Sequence, residues 1–447
     1  MNLRRFMIPC LIAILAAALT MSGCSASTSI TGSDAKSPDA KDTGGKVTLR
    51  FMTSDNSEAT AYKTIISDFE KQNPNIKVEM TVVPGTETFI TALKAKFSAN
   101  DAPDLYSFQV GARTQEFAAA GLLADLSGDP QLLQNIQKKD LALVTYKGGI
   151  YAAPTNYQAT GVFINQDVFS KYGLTPPENF QQLIEVNKAF QQKGLQYPMV
   201  MAGKDVGIVS QFDFQYLSTV VLYNQPDYYK QILDGKLHFN SPLMKKMFDR
   251  YAQLRAFMSP DSLGVDADTA VKRFIKGEGA MLMDGTWRIQ PIRQYAPDMK
   301  VIMIPSVLQE PNQERVLNVG VSLGVSLTKS SKHPEEAKKF LAYILTPEVG
   351  NTYATVAQQL STIKGVNAVF DPMLQPLLPY LNGDKTDKTS PHADLTWIPG
   401  IKDVMKTETQ KWFLGDSLDS ILNDWEAQHQ RLMKENPDFV NNYGKNG

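Results

Sequence analysis

Six short stretches gather hydrogen-bonding side chains, five of them with rings, where strands or loops end. They are "TSDNSEA" from Thr53, "YSFQVG" from Tyr106, "PTNYQATG" from Pro154, "SQFDFQYL" from Ser210, "MDGTWRI" from Met283 and "LTWIPG" from Leu395. A planar ring stacks on the C–H face of a pyranose. Asp, Asn and Gln bond pairs of neighbouring hydroxyls, with charge assistance where the acceptor is a carboxylate. The chemistry on offer is recognition of a hydroxyl-rich ring. Core packing competes as an account of each indole. For Trp287 and Trp397 both accounts stay open, whereas Trp412 and Trp425 fall on apolar helix faces and read as core.

Patterns for catalysis are weaker. "GVSLG" at residues 320–324 fits the spacing of a nucleophile elbow, which needs a strained strand-to-helix turn at its serine. Val321, Leu323 and Val325 carry strand alternation straight past Ser322, so an uninterrupted strand is expected. The histidines His238, His333, His392 and His429 have no metal-ligand spacing between them. "DADTAVKRFIKGE" from Asp266 lacks the third acid and the glycine of a calcium loop. No phosphate-binding glycine loop or dinucleotide fingerprint occurs, and no cofactor is implied. Paired carboxylates remain open, because 46 acidic residues allow many pairings in space. With 45 basic residues against them the formal charge is −1, in no long block of either sign, which gives no electrostatic case for nucleic acid.

The elements that must position these residues alternate. "VTLRFM" from Val47 reads as a strand, "SEATAYKTIISDFEKQ" as a helix burying Ala61, Ile65, Ile66 and Phe69, and "NIKVEMTVVPG" as a second strand. A helix with Phe89, Leu93 and Phe97 at spacing four follows, then the strand "PDLYSF". This βαβ succession implies α/β architecture with a parallel sheet wrapped by helices, and such sheets take ligands beyond the carboxyl ends of their strands. Further strands are expected at "GVFINQDVF", "MKVIMIPSV" and "NVGVSLGVSLT". Helices are expected near residues 180–193 and 242–258, at "HPEEAKKFLAYIL" with Pro334 in its first turn, and at the C-terminus with Leu418, Ile421, Leu422 and Trp425 on one face. Asp104, beside Pro103, reads as a turn-fixing carboxylate.

The N-terminus has Arg4 and Arg5, an apolar run over residues 6–19, and then Ser22 and Gly23 before Cys24. That is the layout of a secretory signal peptide over residues 1–23, too short for a membrane span of about 20 apolar residues. The chain has two cysteines, and Cys10 lies in the segment to be removed, so no disulfide within the mature chain is expected. Apolar content of 43% over some 400 remaining residues suffices for a large core, in two domains or lobes. Residues 24–46 are small and polar and read as a flexible tether with a mean end separation of roughly 25 Å.

"MSGC", Met21 to Cys24, resembles the lipobox of bacterial lipoproteins, which implies a diacylglyceryl thioether on Cys24; plain secretion is the other reading. The segments "DFEKQNPNIKVEM", "APDLYSFQVGARTQEFAAAGLLADLS", "KGGIYAAPTNYQATGVFINQDVFSKYGLTPPENFQQL", "FIKGEGAMLMDGTW" and "SLTKSSKHPEEAKKFLAYILTPEVG" resemble, in order, the extracellular solute-binding proteins of ABC importers in the group built like maltose-binding protein.

The resemblance implies a two-lobe, periplasmic-binding-protein-like fold with several crossover strands. Residues 47–157 with 318–355 form one lobe, and residues 158–317 with 356–447 the other. Crossings are expected near residues 155–161, 318–320 and 355–361, and a hinge closes over ligand in the cleft. Trp287 is the implied stacking platform, with Asp284 beside it. Asn156 and Tyr157 line the first crossing, Ser54 and Asp55 follow the first strand, and Gln109 follows the third. Asp213 and Trp397 join the candidates by composition and spacing. The expected protein is a monomeric, non-enzymatic binder of a mono- or oligosaccharide, without a metal. It is held by lipid on Cys24 to the outer face of a bacterial cytoplasmic membrane, in a Gram-positive source, and partnered by permease subunits. A secreted carbohydrate-active enzyme using two carboxylates, or the same fold taking a non-sugar solute or serving a sensor, is the alternative.

Overall fold

In the computed structural model, which describes residues 46–54 and 56–443, the apolar and β-branched runs become strands of one mixed sheet. In chain order these are β1 (Val47–Thr53), β2 (Ile76–Val82), β3 (Leu105–Gln109), β4 (Ala153–Asn165), β5 (Met199–Val200), β6 (Met281–Gly285), β7 (Val301–Pro305), β8 (Leu317–Leu327), β9 (Leu360–Ser361) and β10 (Thr389–Ser390). Among the described residues they make a ten-stranded sheet in the order β2-β1-β3-β8-β4-β6-β5, with β7 and β9 also paired to β4 and β10 to β8.

The N-terminal βαβ succession is present as expected. β1 runs parallel to β2 and to β3, and the helices Asn56–Gln72 and Thr86–Ser98 form the crossovers. Successive side chains on a strand face opposite ways, and here both faces are covered. On β1, Leu49 and Phe51 enter a core with Ile65, Phe69 and Phe340, while Met52 enters one with Phe89, Leu93 and Phe117. On β4, Val162 and Ile164 pack with Phe190, Phe248 and Trp425, and Ala159 and Phe163 with Phe274, Ile292 and Leu377. The sheet thus carries a pair of cores in each of two lobes. Asp104 ties β1 to the segment after β8: its carboxylate accepts from Arg50 N at 2.8 Å and Ser331 Oγ at 2.6 Å.

The 13-residue β4 belongs to both lobes. It pairs antiparallel with β8 from Ala153 to Thr160, with β9 at Asn156 and Tyr157, with β6 from Thr160 to Ile164, and with β7 from Gly161 to Asn165. Segments 155–161, 318–320 and 360–361 therefore lie side by side. At Ser322 the structure departs from the uninterrupted strand. Val321 faces Tyr157 and Leu323 faces Asn156, so Ser322 is the extra residue of a β-bulge. Its hydroxyl is buried and donates to Gln158 Oε1 at 2.5 Å. A strand with a bulge, not a strand-to-helix turn, accounts for "GVSLG".

Gly161 stands where β7 comes closest to β4: a Cβ there would lie 2.2 Å from the carbonyl oxygen of Ile304. Gly161→Ala is expected to cost roughly 1–3 kcal/mol, as overpacking does. The measurement is the urea midpoint at unchanged m-value; an unshifted midpoint would show that the strands separate freely.

Candidate functional site

Beyond the carboxyl ends of β1 and β3 opens a cavity of about 500 Å³, walled on its far side by the turn after β6 and by the helix Ile401–Leu414. Ser54 and Gln109 enter it from the strand ends of the first lobe, Gln158 from β4, and Trp287 and Arg288 from the second lobe. This is the crevice in which open α/β sheets bind ligands. Its walls combine amides (Gln158, Gln211, Gln290, Gln294), the rings of Trp287 and Tyr295, and the cations Arg288, Lys402 and Lys406. A second cavity, of about 580 Å³, lies between Gln115, Tyr146, Leu395 and Phe439; Glu116, Lys147, Glu435 and Asp438 also line it, but no indole does.

Trp287 sits in a single 3-10 turn, Thr286–Arg288, directly after β6. Its indole folds back over Gly285, where a Cβ would lie 2.2 Å from the ring carbons Cη2 and Cζ3. Only glycine leaves room for that seat, which fixes the ring's orientation at the cavity wall. Asp284, expected beside the ligand, is instead fully buried beneath this turn. Its Oδ1 accepts from Gly285 N at 2.9 Å and its Oδ2 from Arg288 Nε at 2.6 Å. Burial raises the Asp284 pKa above the usual carboxylate value, and the Arg288 charge acts against that rise.

The other expected contacts divide. Ser54 and Gln109 line the cavity, and Gln109 Oε1 accepts from Lys402 Nζ of the opposite lobe at 3.2 Å. Asn156 does not reach it. It is fully buried, its Nδ2 donating to Tyr353 Oη at 3.1 Å and its Oδ1 accepting from Leu323 N at 3.0 Å, which stitches β4 to β8. Tyr157 points to the other face of the sheet, where its hydroxyl donates to Asp140. The cavity residue is the next one, Gln158. Trp397 is core: its ring stacks on Tyr229 with centroids 4.3 Å apart and planes 3° from parallel. Trp412 packs edge-on against Phe248, and Trp425 is fully buried. Asp55 and Cys24 lie outside the described residues.

Gln158, Gln211, Arg288, Lys402 and Lys406 were not anticipated. For Arg288 a signal existed, the four-residue spacing from Asp284 that lets the two side chains meet across one turn. The acids near "DADTAVKRFIKGE" have ordinary employment. Asp266 caps the helix Ala267–Ile275 through Thr269 N at 2.8 Å, and Asp268 bonds Lys272 and Tyr295.

With this geometry in place, likeness to known proteins becomes informative. The family model of bacterial extracellular solute-binding proteins matches residues 53–351. The chain is 24% identical over 408 residues to the melibiose/raffinose/stachyose-binding protein MelE of Bacillus subtilis, which covers 88% of this chain and 89% of that protein. It is 25% identical over 354 residues to the multiple sugar-binding protein of Streptococcus mutans, covering 76% and 81% respectively. Among solved structures, RafE in complex with raffinose superposes with a TM-score of 0.74 at 24% identity, over 86% of this chain and 99% of that one, a likeness of fold.

Asp213, also expected at the ligand, is fully buried on the helix Gln211–Tyr216; the residue two places earlier, Gln211, is the one at the cavity. Asp213 Oδ2 accepts from Thr409 Oγ1 at 2.5 Å, and Oδ1 has no hydrogen-bond partner among the described residues. Burial pushes its carboxyl up to about 8, against the lowering effect of Thr409. The folded value exceeds the unfolded one of about 4, so the stability this group contributes is complete below that unfolded pKa. It is lost as pH rises through about 8, by at most about 1.4 kcal/mol per pH unit. Asp213→Asn is expected to be the more stable protein at about pH 9 and to flatten the decline from about pH 6. Urea midpoints at both values decide it, and parallel pH profiles for variant and wild type would overturn it.

Proposed function

The chain belongs to the bacterial extracellular solute-binding proteins, and we propose that within that family it is the sugar-capturing lipoprotein of an ABC importer. The observation that carries this reading is the cavity between lobes, where an oriented indole meets amides and hydroxyls from both sides. The ring covers the C–H face of a pyranose and the amides bond its rim. MelE, described as binding melibiose, raffinose and stachyose, and RafE, solved with raffinose, agree with a mono- or oligosaccharide ligand.

In this reading Ser54, Gln109, Gln158 and Trp287 contact the sugar, and Asp55 is kept as a candidate. The lobes comprise residues 47–157 with 318–355 and residues 158–317 with 356–447. Ligand that touches both lobes favours their closed arrangement, and that differential affinity supplies the signal to the permease. The protein binds without turning its ligand over. The two carboxylates at the cavity have other employment: Asp268 accepts hydrogen bonds from Lys272 and Tyr295, which hold it below the usual carboxylate range, and Asp205 caps the helix Val206–Val209 through Gly207 N at 2.8 Å.

Residues 1–23 are the signal peptide, Cys24 carries the lipid, and the tether keeps a monomeric receptor beside its permease on the outer face of a Gram-positive membrane. No helix among the described residues is long and apolar enough to cross a membrane. Each buried methylene adds about 0.8 kcal/mol, so two or more acyl chains hold durably.

Calorimetry on residues 25–447 against a saccharide panel is expected to give heat with at least one sugar, and Trp287→Ala to weaken that binding by roughly tenfold, or about 1.4 kcal/mol. Silence across the panel, with binding of peptides or metals in its place, would sink the sugar reading. Cys24→Ser is expected to move the protein from the membrane fraction to the culture supernatant, and a variant that stays in the membrane fraction refutes lipid anchoring.

A further inference from the structure

We propose that Arg288 is a specificity-determining residue of the cleft: a donor fork, held by Asp284, that reads two adjacent hydroxyls of the sugar lying on Trp287. The inference rests on the sugar-binding reading.

Its grounds are geometric. Asp284 is the last residue but one of β6; its carboxylate is fully enclosed, and one oxygen takes Arg288 Nε at 2.6 Å from four residues on. The guanidinium is planar, so fixing Nε inward fixes the directions of Nη1 and Nη2. The Arg288 side chain is 13% exposed and lies in the wall of the same cavity as the neighbouring indole. Among the described residues neither Nη nitrogen makes a hydrogen bond, so the fork is available to a ligand. A buried ion pair adds little stability over apolar side chains of the same volume, whereas it orients a guanidinium firmly. Because Asp284 already balances the charge, the fork suits neutral vicinal hydroxyls better than a carboxylate ligand. Ring and fork rise from one turn, Thr286–Arg288, so they hold a fixed relation to each other and can read one face and one edge of a single pyranose. Asp284 is the positioning residue, and Arg288 makes the contact.

The test uses residues 25–447, the sugar giving most heat in the panel, and its monodeoxy analogues. In the wild type, removal of either of two adjacent hydroxyls should weaken binding about tenfold or more, since the donors that met it are left unpaired. In Arg288→Met the parent sugar should bind about tenfold more weakly, and those two deoxy analogues should then lose less than about twofold further. Arg288→Lys keeps the charge without the fork and should resemble Arg288→Met. Asp284→Asn should weaken discrimination at the same two positions and nowhere else, a pattern that general loosening of the turn would not produce. If Asp284→Asn fails to fold, the two Arg288 variants still carry the test. Arg288→Met binding the parent sugar like the wild type, or losing equally with every analogue, overturns the proposal while leaving the sugar reading intact. If no saccharide binds the wild type, it is the sugar reading that fails, and this inference falls with it.

Discussion

Everything in this molecule is organised around the pairing of one long strand. β4 must have its backbone groups bonded along 13 residues, since unpaired buried amides are costly. It meets that demand by taking β8 and β9 as partners at its start and β6 and β7 at its end. The lobes are therefore joined through a continuous ladder and not a slack linker. Relative motion has to be a bend or twist of strands. At Ser322 the register of that ladder shifts, and a bulge sharpens the local twist of its strand.

The same strand decides what the cleft contains. Its alternation sends Gln158 to the cavity and Tyr157 to the opposite face, where the tyrosine hydroxyl meets Asp140. The walls facing Gln158 are built from short, tightly constrained pieces. Trp287 owes its placement to a missing side chain at Gly285, and Arg288 owes its own to a carboxylate sealed beneath the turn. Both devices fix direction instead of adding contact area, which suits the sugar receptor proposed above, whose two halves must remain able to part.

Much of the first lobe was legible because its signals are local. The βαβ order follows from periodicity, and Ser54 and Gln109 could be placed because they sit at the carboxyl ends of strands where such sheets bind. Trp287 came from a resemblance and from its polar setting. Tyr157 misses the cavity residue Gln158 by one place and Asn156 by two, and Asp213 misses Gln211 by two, because the face a side chain presents depends on partners far away in sequence. Asn156 answers to Tyr353 and Leu323, and Asp213 to Thr409. Trp397 is core for the same reason: nothing in "LTWIPG" signals that Tyr229, far back in the chain, lies flat against it.

The interleaving of the lobes bears on how such a chain reaches its destination. One core joins Leu49 and Phe51 to Phe340 and Tyr353, and another joins Val162 to Trp425 and Leu432. Neither can assemble while the ribosome is still making the middle of the polypeptide. Contacts so distant in sequence also form slowly. A chain with this wiring stays unfolded for longer as it emerges, a state narrow enough to thread through a translocation pore before its halves knit together outside.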